Sequence, residues 1–423
     1  MRIARYAVAV AALALTSCER EDTGSPPAPP AMPEDVAASL DPLAPGFMEL
    51  VDPRQLYMDA MTYPVALTAS VAVGPDGAPV MVYQDYLASR LDSGHWYIEA
   101  APSVGWGRAD FDPQGRLHVF DGEAHHWREG GAWHEQEILA ESDQYSTADS
   151  DFEIDPDGGL HVLRGRSSLA FGSSVIYAYL PPGSDTWQVE TLAEHEEWTD
   201  GSFGENVDLF IDRDGVPVVV YQELDQPDPM SPNRFGSIVV ARRADGGWEE
   251  WLRTEPPEEF EMPGKGTWGA YESGYRLTAC EAPDRTVHLA YAAYHGFTDG
   301  YEWTGEWLWD TWEVTAPGQA TETDFIQPAD HEEELIWHFI TERQVSRPVY
   351  LLCDDDGDVH FVALANHREE HLEPYTIEAM TLTHEPTTGQ VWMAALTGAY
   401  HLFVVSLGGA EEFTDLEKAG LWQ

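Results

Sequence analysis

The chain has 423 residues, of which 43% are hydrophobic and 12% aromatic, which is enough apolar material for a sizeable core. Asp and Glu total 75 against 22 Lys and Arg, so the formal net charge is −53. A charge of that sign repels phosphate backbones and excludes nucleic-acid binding. Three cysteines are too few for a disulfide-dense scaffold or a Cys-rich zinc module.

The N-terminus has the layout of a secretory signal. Arg2 and Arg5 precede an apolar, Ala-rich run over residues 7–15, which is too short to span a membrane. The run ends in Leu15-Thr16-Ser17-Cys18, which resembles the lipobox of bacterial lipoproteins. That resemblance implies cleavage after Ser17 and lipid modification of Cys18. The alternative is an ordinary secretory signal with a chance cysteine.

The predicted organisation has three parts. Residues 1–17 are the signal peptide, residues 18–46 are the lipidated cysteine with a Pro-rich linker, and residues 47–423 form a single domain. The linker is expected to be extended, because proline-rich segments adopt polyproline-like conformations. Lipoproteins kept at the inner membrane usually carry Asp after the cysteine. Glu19 therefore implies a lipid anchor in the outer membrane, on its periplasmic side or at the cell surface.

One sequence unit recurs along the domain: a short apolar run, a turn rich in Asp, Pro and Gly, and a second, β-branched run. This unit predicts a β-hairpin, since glycine supplies the positive φ of a tight turn. A second hairpin follows several copies, marked by a Gly or Asp turn just before a Trp, so each repeat predicts a four-stranded antiparallel sheet. The turn position of the six copies is occupied by Gly77, Gly115, Gly158, Gly215, Arg285 and Gly357.

Such sheets must pack face to face, because none of them can cover both of its own faces. Radial closure is the β-propeller solution, and we predict an all-β propeller of six or seven four-stranded antiparallel blades. The repeats resemble those of NHL-type and sialidase-like propellers over roughly residues 66–396. Residues 380–394 either open a seventh blade or form the outer hairpin of the sixth. Residues 400–406 are expected to close the ring with a strand from residues 45–65.

Histidines recur at one position of the repeat, a pattern that can indicate metal ligands. They lie three residues after the turn position in different blades, so they cannot converge on one ion, and we predict a repeated packing and hydrogen-bonding role with no metal site. The Asp-rich turns resemble calcium loops but lack the Glu of the EF-hand pattern, so calcium is the only cofactor left open. The histidines are His118, His161, His288 and His360.

Cys280 and Cys353 lie at similar levels of the first strands of adjacent copies. A disulfide between blades is therefore predicted, unless the Cα atoms are farther apart than the limit of about 7 Å.

Propeller ligands usually bind on the face where loops enter the inner strands. Three Arg at these positions match the cluster that a sialidase needs for a carboxylate, but the Phe/Tyr-Arg-Ile-Pro motif and regular Asp boxes of sialidases are missing. Catalytic residues therefore remain unassigned. The residues of this candidate ligand face are Trp106, Arg108, Asp149, Glu205, Tyr271, Arg276 and Arg347.

The sequence is thus interpreted as a lipid-anchored, extracytoplasmic propeller that binds a ligand, a glycan or an envelope protein and is not an enzyme. Two alternatives stay open. One is a sialidase-like glycoside hydrolase that uses carboxylates on the candidate ligand face, and the other is a non-catalytic envelope scaffold. The membrane is a partner through the anchor, and acidity favours cationic partners.

Overall fold

The protein is described from a computed structural model. In its described part every regular element is a β-strand, and no helix is long and apolar enough to cross a membrane. The described residues are 48–52, 69–75, 77–83, 85–91, 95–102, 108–138, 146–168, 172–195, 202–225, 235–254, 261–262, 267–298, 303–323, 349–353, 359–363, 377–385, 390–397 and 402–409.

The first strand, β1, belongs to the last sheet of the chain, and the strands that follow it in the N-terminal half form three complete antiparallel sheets. The bounds are β1 (Met48–Asp52); β2 (Ala69–Val73), β3 (Pro79–Tyr83), β4 (Tyr86–Arg90) and β5 (Trp96–Ala100); β6 (Ala109–Phe111), β7 (Leu117–Phe120), β8 (Ala124–Glu129) and β9 (Ala132–Glu137); β10 (Ser146–Ile154), β11 (Leu160–Ser168), β12 (Gly172–Leu180) and β13 (Gln188–His195).

The second half continues the pattern with four more sheets. The bounds are β14 (Ser202–Ile211), β15 (Pro217–Asp225), β16 (Phe235–Ala244) and β17 (Gly247–Arg253); β18 (Glu261–Met262), β19 (Thr267–Glu281), β20 (Val287–Thr298), β21 (Trp303–Ala316) and β22 (Gln319–Thr323); β23 (Val349–Cys353) and β24 (Val359–Ala363); β25 (Ile377–Glu385), β26 (Gln390–Thr397) and β27 (Leu402–Gly409).

The sheets are arranged as a β-propeller. Along the chain, the leading strand of each sheet contacts the leading strand of the next, from β2 through β6, β10, β14 and β19 to β23, and β25 contacts β2. We call these seven the inner strands. The predicted four-stranded blade is present in five of the described sheets, while another has the short extra strand β18 and the remaining one is described only for β23 and β24.

The N-terminal strand completes the sheet of the C-terminal strands. β1 pairs antiparallel with β27, with Met48 opposite Val405 and Leu50 opposite Phe403, so the predicted closure of the ring is confirmed. Residues 380–394 belong to β25 and β26, which form their own sheet with β27 and β1. Of the two interpretations of this segment, the one that starts a further sheet is therefore correct.

Apolar side chains fill the space between neighbouring sheets. Between the sheets of β10–β13 and β14–β17, Leu163 and Val175 pack with Leu209, Val219 and Val239, all of them 5% exposed or less. Burying side chains of this size contributes roughly 1.5–3 kcal/mol each. The alternation of apolar residues along each strand therefore fixes which face meets the next sheet.

The repeated turn is built by its aspartate. Asp112 Oδ1 accepts hydrogen bonds from the backbone N–H groups of Gln114 and Arg116, and Asp155 and Asp212 do the same in their own turns. Arg285, at the turn position, has φ of +76°, so the copy that lacks a glycine keeps the left-handed turn geometry of the others.

Neighbouring turns touch, which gives a sharp prediction. Gly77 and Gly115 have φ of +76° and +77°, but a Cβ at Gly77 meets nothing within 4 Å, whereas one at Gly115 comes within 2.8 Å of Pro75 Cγ in the preceding turn. Gly77→Ala should cost about 1 kcal/mol for the left-handed backbone alone. Gly115→Ala should cost about 1–3 kcal/mol more because of the clash, as measured by urea unfolding. Equal losses would show that these turns do not touch.

Candidate functional site

The structure brings two of the predicted ligand-face residues together. Arg108 directly precedes β6 and Asp149 lies in β10, and both approach Asp151 of β10. Glu205, Tyr271 and Arg276 lie in β14 and β19, but their side chains are outside the described part of the chain, and Trp106, Arg347 and Cys18 lie outside it entirely.

The inner strands are joined by a repeated polar contact. In the five copies whose side chains are described at this position, the residue seven positions before the turn position reaches toward the next sheet. Ser70 Oγ accepts a hydrogen bond from the N–H of Ala109 (2.9 Å), and Thr278 Oγ1 accepts one from the N–H of Leu351 (3.2 Å). Apart from β19, which pairs with the short strand β18 at one end, the described inner strands have no ladder partner on their axial edge. Their edge N–H groups need acceptors once they are buried.

Two of these acceptors are buried carboxylates. Asp151 Oδ2 accepts from the N–H of Leu209 at 2.8 Å, and Asp208 Oδ2 accepts from the N–H of Ala279 at 2.7 Å. We call Ser70, Asp151, Asp208 and Thr278 the inter-sheet acceptors. Each of them accepts a hydrogen bond from a backbone N–H of the next inner strand, and this contact fixes the register between the two sheets.

Arg108 occupies the same repeat position but has no acceptor atom, so its contact is reversed. Its Nε lies 2.8 Å from Asp151 Oδ1, which also accepts from the N–H of Phe152. Asp151 is 0% exposed and the Arg108 side chain is 33% exposed. The carboxylate of Asp151 therefore accepts from one guanidinium and two backbone amides.

Further carboxyl groups surround this pair. Asp149 Oδ2 accepts from the N–H of Val207 and its Oδ1 from the N–H of Ser150, both at 2.9 Å. Burial raises the pKa of Asp149 to about 6 despite these bonds, and the negative charge of Asp151 adds to the effect. Burial likewise raises the pKa of Asp110 to about 6, with repulsion from Asp112 as a further cause.

Two groups are shifted more strongly. Burial raises the pKa of Glu153 well above its ordinary value, helped by the negative charges of Asp151 and Asp110. Burial also raises the pKa of Asp208 well above its ordinary value, and the neighbouring Asp151 carboxylate raises it further. These raised pKa values favour the protonated form of Asp208, whose carboxyl lies beside that of Asp151 and whose Oδ2 accepts from the Ala279 amide.

These raised pKa values predict that the buried carboxyl groups lower stability as pH rises from their ordinary pKa range toward their folded-state pKa values. The folded-state pKa of Asp208 exceeds that of the unfolded chain, so unfolding releases a proton and each pH step between the two values destabilises the fold. The lowered pKa values of the buried histidines act in the opposite direction, but only below their ordinary value of 6.5. The pH dependence of thermal unfolding, compared between the wild type and a variant of Asp208, isolates this contribution.

A matched pair of variants tests whether Asp208 causes this pH dependence of stability. Asp208→Asn resembles the protonated carboxyl and should flatten it, whereas Asp245→Asn removes an exposed charge from the β16–β17 turn and should leave it as in the wild type. The same pH dependence of stability in Asp208→Asn and in the wild type would contradict the assignment.

Two of the repeated histidines have the predicted hydrogen-bonding role. Nε2 of His118 lies 3.2 Å from Asp112 Oδ2, and Nε2 of His161 lies 3.0 Å from Asp155 Oδ2, so each joins its turn to the following strand. Among the described residues no three His, Cys, Asp or Glu side chains are grouped to hold a metal ion. His288 is buried in β20, whereas the side chain of His360 and the Asp354–Asp358 turn lie outside the described residues.

The two remaining cysteines meet across neighbouring sheets. The Sγ atoms of Cys280 and Cys353 are 2.09 Å apart and their Cα atoms 5.7 Å apart, so a disulfide joins β19 to β23. The Cα separation lies inside the range that a disulfide spans.

Asp110, Glu153 and Asp208 are not among the site residues predicted from the sequence. Two signals mark them: spacing by two residues on an inner strand, which puts Asp149, Asp151 and Glu153 on one face, and the position seven residues before the turn, which identifies Asp208. With 75 acidic residues in the chain, only alignment of the repeats separates these groups from the rest.

No family model and no curated protein matches the chain. Among solved structures it is similar to an α-L-arabinanase of Penicillium chrysogenum (10% identity, 85% of this chain and 96% of the other, TM-score 0.41). It is also similar to a PL25 ulvan lyase (11%, 84% and 96%, 0.41) and to the Hadza microbial sialidase Hz136 (11%, 82% and 66%, 0.41). Similarities of this size say nothing about function. The class that the sheets define is the β-propeller.

Proposed function

We propose that the protein is a lipid-anchored, extracytoplasmic β-propeller that binds a cationic ligand or protein partner on the face where Arg108 and Asp149 lie. The lipobox Leu15-Thr16-Ser17-Cys18 supports the anchor, and the Pro-rich linker supports a domain held away from the membrane surface. The Cys280–Cys353 disulfide agrees with an oxidising compartment.

The observation that carries binding over catalysis is the use made of the carboxylates. Both oxygens of Asp149 and both oxygens of Asp151 hold backbone amides or Arg108. A general acid or base must exchange a proton with a substrate at hydrogen-bond distance. Carboxylates engaged in this way hold neighbouring sheets in place and present a preformed face to a partner.

The charge of the chain indicates the partner's chemistry. A formal charge of −53 attracts cations and raises their local concentration at the protein surface. At physiological salt the field of exposed charges is screened within about 8 Å, so binding that persists there needs direct contacts.

The binding proposal is tested by titrating the full chain with a fluorescent octalysine peptide at physiological salt. The expected result is one saturable site per chain, with no binding of octaglutamate. Binding of many peptides per chain without saturation would indicate general charge attraction. No binding at all would show that the ligand is not cationic. Either result would overturn the proposal of a cationic ligand face.

The anchor is tested separately by metabolic labelling with a palmitate analogue. The wild type should be labelled and partition with membranes, whereas Cys18→Ala should lose both properties. Cys353→Ala serves as the control for labelling of an unrelated cysteine. Equal labelling of the wild type and Cys18→Ala would refute the anchor and leave the binding face untouched.

One observation favours a second candidate, a glycoside hydrolase. Asp149 and Asp110 have a pKa of about 6, which is the range that suits a general acid near neutral pH. Turnover of fluorogenic glycosides that is lost in Asp149→Asn and retained in Asp245→Asn would establish catalysis in place of simple binding.

A further inference from the structure

A buried relay of rings runs through the sheet of β6–β9. Asp112 Oδ2 lies 3.2 Å from His118 Nε2, and His118 Nδ1 lies 2.8 Å from His125 Nε2. The two imidazoles stack at 5.1 Å with an interplanar angle of 4°. His118 is 4% exposed and His125 is 2% exposed, so the relay lies inside the protein.

The order of donors in this relay follows from charge. Burial lowers the pKa of His118, and it lowers that of His125 to about 3, with the charge of Arg116 as a further cause, so both rings are neutral and carry one N–H each. Burial alone would raise the pKa of Asp112, but hydrogen bonds from Arg116 and His118 outweigh it, and Asp112 stays a carboxylate. His118 therefore donates through Nε2, and His125 must donate to His118 Nδ1.

This order leaves the lone pair of His125 Nδ1 as a buried acceptor. Within the described part of the chain no donor reaches it. The indole of Trp187, from the next sheet, stands edge-on to His125 with ring centroids 5.8 Å apart and an interplanar angle of 78°. The Trp187 Nε1–H is also buried and has no acceptor among the described residues. An unmet acceptor and an unmet donor thus lie on two rings in contact.

The neighbouring sheet shows what completes such a relay. His161 occupies the same repeat position as His118 and also bonds its turn aspartate through Nε2. Its Nδ1 lies 2.6 Å from the hydroxyl oxygen of Tyr177, whose O–H is the donor that the imidazole needs. In the sheet of β6–β9, His125 takes the place of Tyr177 and donates to Nδ1 of His118. The Nδ1 of His125 then needs a hydrogen-bond donor of its own.

We propose that a buried water molecule binds between His125 and Trp187, donating to Nδ1 of the imidazole and accepting from Nε1–H of the indole. A water oxygen both donates and accepts, so one water can bridge these two nitrogens, which are not hydrogen-bonded to each other in the structure. The relay then runs from Asp112 to Trp187 and joins the sheets of β6–β9 and β10–β13.

Nitrogen-15 NMR of the full chain labelled at histidine and tryptophan tests the site. The expected result has His118, His125 and His161 as neutral Nε2–H tautomers, with the His125 Nδ1 signal in the hydrogen-bonded range that His161 shows. A cross-peak between the Trp187 indole N–H and a long-lived water should accompany it. An Nδ1–H tautomer or a cationic ring at His125 would overturn the proposal.

Two variants distinguish water from other partners. Trp187→Phe removes one of the two groups that hold the water, so the His125 Nδ1 signal should leave the range of His161, while Trp133→Phe on β9 should leave it unchanged. A crystal structure should show density at hydrogen-bond distance from both nitrogens. Direct bonding of the indole to the imidazole, or no change in Trp187→Phe, would contradict the water site.

Discussion

Replacing Asp151 by alanine is expected to lower the free energy of unfolding by about 3–5 kcal/mol, the range for breaking a buried ion pair. The change leaves Arg108 without its carboxylate and the amides of Leu209 and Phe152 without their acceptor. Each buried amide left unpaired adds to the loss, typically by about 1–3 kcal/mol. Urea unfolding of the full chain measures the difference.

The control for this prediction is a change at the next inter-sheet acceptor. Burial favours the protonated form of Asp208, which asparagine resembles, so Asp208→Asn preserves an acceptor for Ala279 and a donor for Asp151 and should cost about 1 kcal/mol or less. Asp151→Asn puts the same amide beside Arg108 and removes the charge that Arg108 needs. Similar losses in both asparagine variants would contradict this difference between the two inter-sheet acceptors.

Removing the disulfide by Cys280→Ser with Cys353→Ser is expected to cost about 4 kcal/mol. The bond closes a segment of 73 residues of sequence separation, and the chain-entropy model gives this size of effect for such a loop. Because the bond joins β19 to β23, the loss should appear first as faster amide exchange in those two strands.

Cys18→Ser is the matched control, since it removes a cysteine that lies before the folded domain. It should leave the urea midpoint of the detergent-solubilised chain unchanged. An unchanged midpoint in the Cys280→Ser/Cys353→Ser double variant would show that the sheets around β19 and β23 are held together without the bond.

The ring could be predicted from the sequence because its rule is local and repeated. The turn needs a positive φ at one position and an aspartate three residues earlier, and both recur at a readable spacing around Gly115, Gly158 and Gly215. The alternation of apolar residues then gives strands, and a sheet with two apolar faces requires neighbours on both sides. Closure by β1 follows from the same requirement at the two ends of the chain.

The acidic residues of the inner strands could not be assigned in the same way. The role of Asp208 depends on Ala279, which lies 71 residues further along the chain, and no local pattern reports a contact at that distance. The protonation of Asp208 depends in turn on Asp151 in the previous sheet. The sequence shows that position 208 carries a carboxyl group, but its pKa depends on contacts with the previous sheet and the next one.

Residue-resolved hydrogen exchange at Leu209 and Ala279 tests most directly whether side chains hold the axial edges of the inner strands. If they do, both amides are protected as strongly as ladder amides in the wild type. Ala279 alone becomes fast in Asp208→Ala and remains protected in Asp208→Asn. Exchange of both amides at the rate of exposed backbone in the wild type would contradict a ring joined by these contacts.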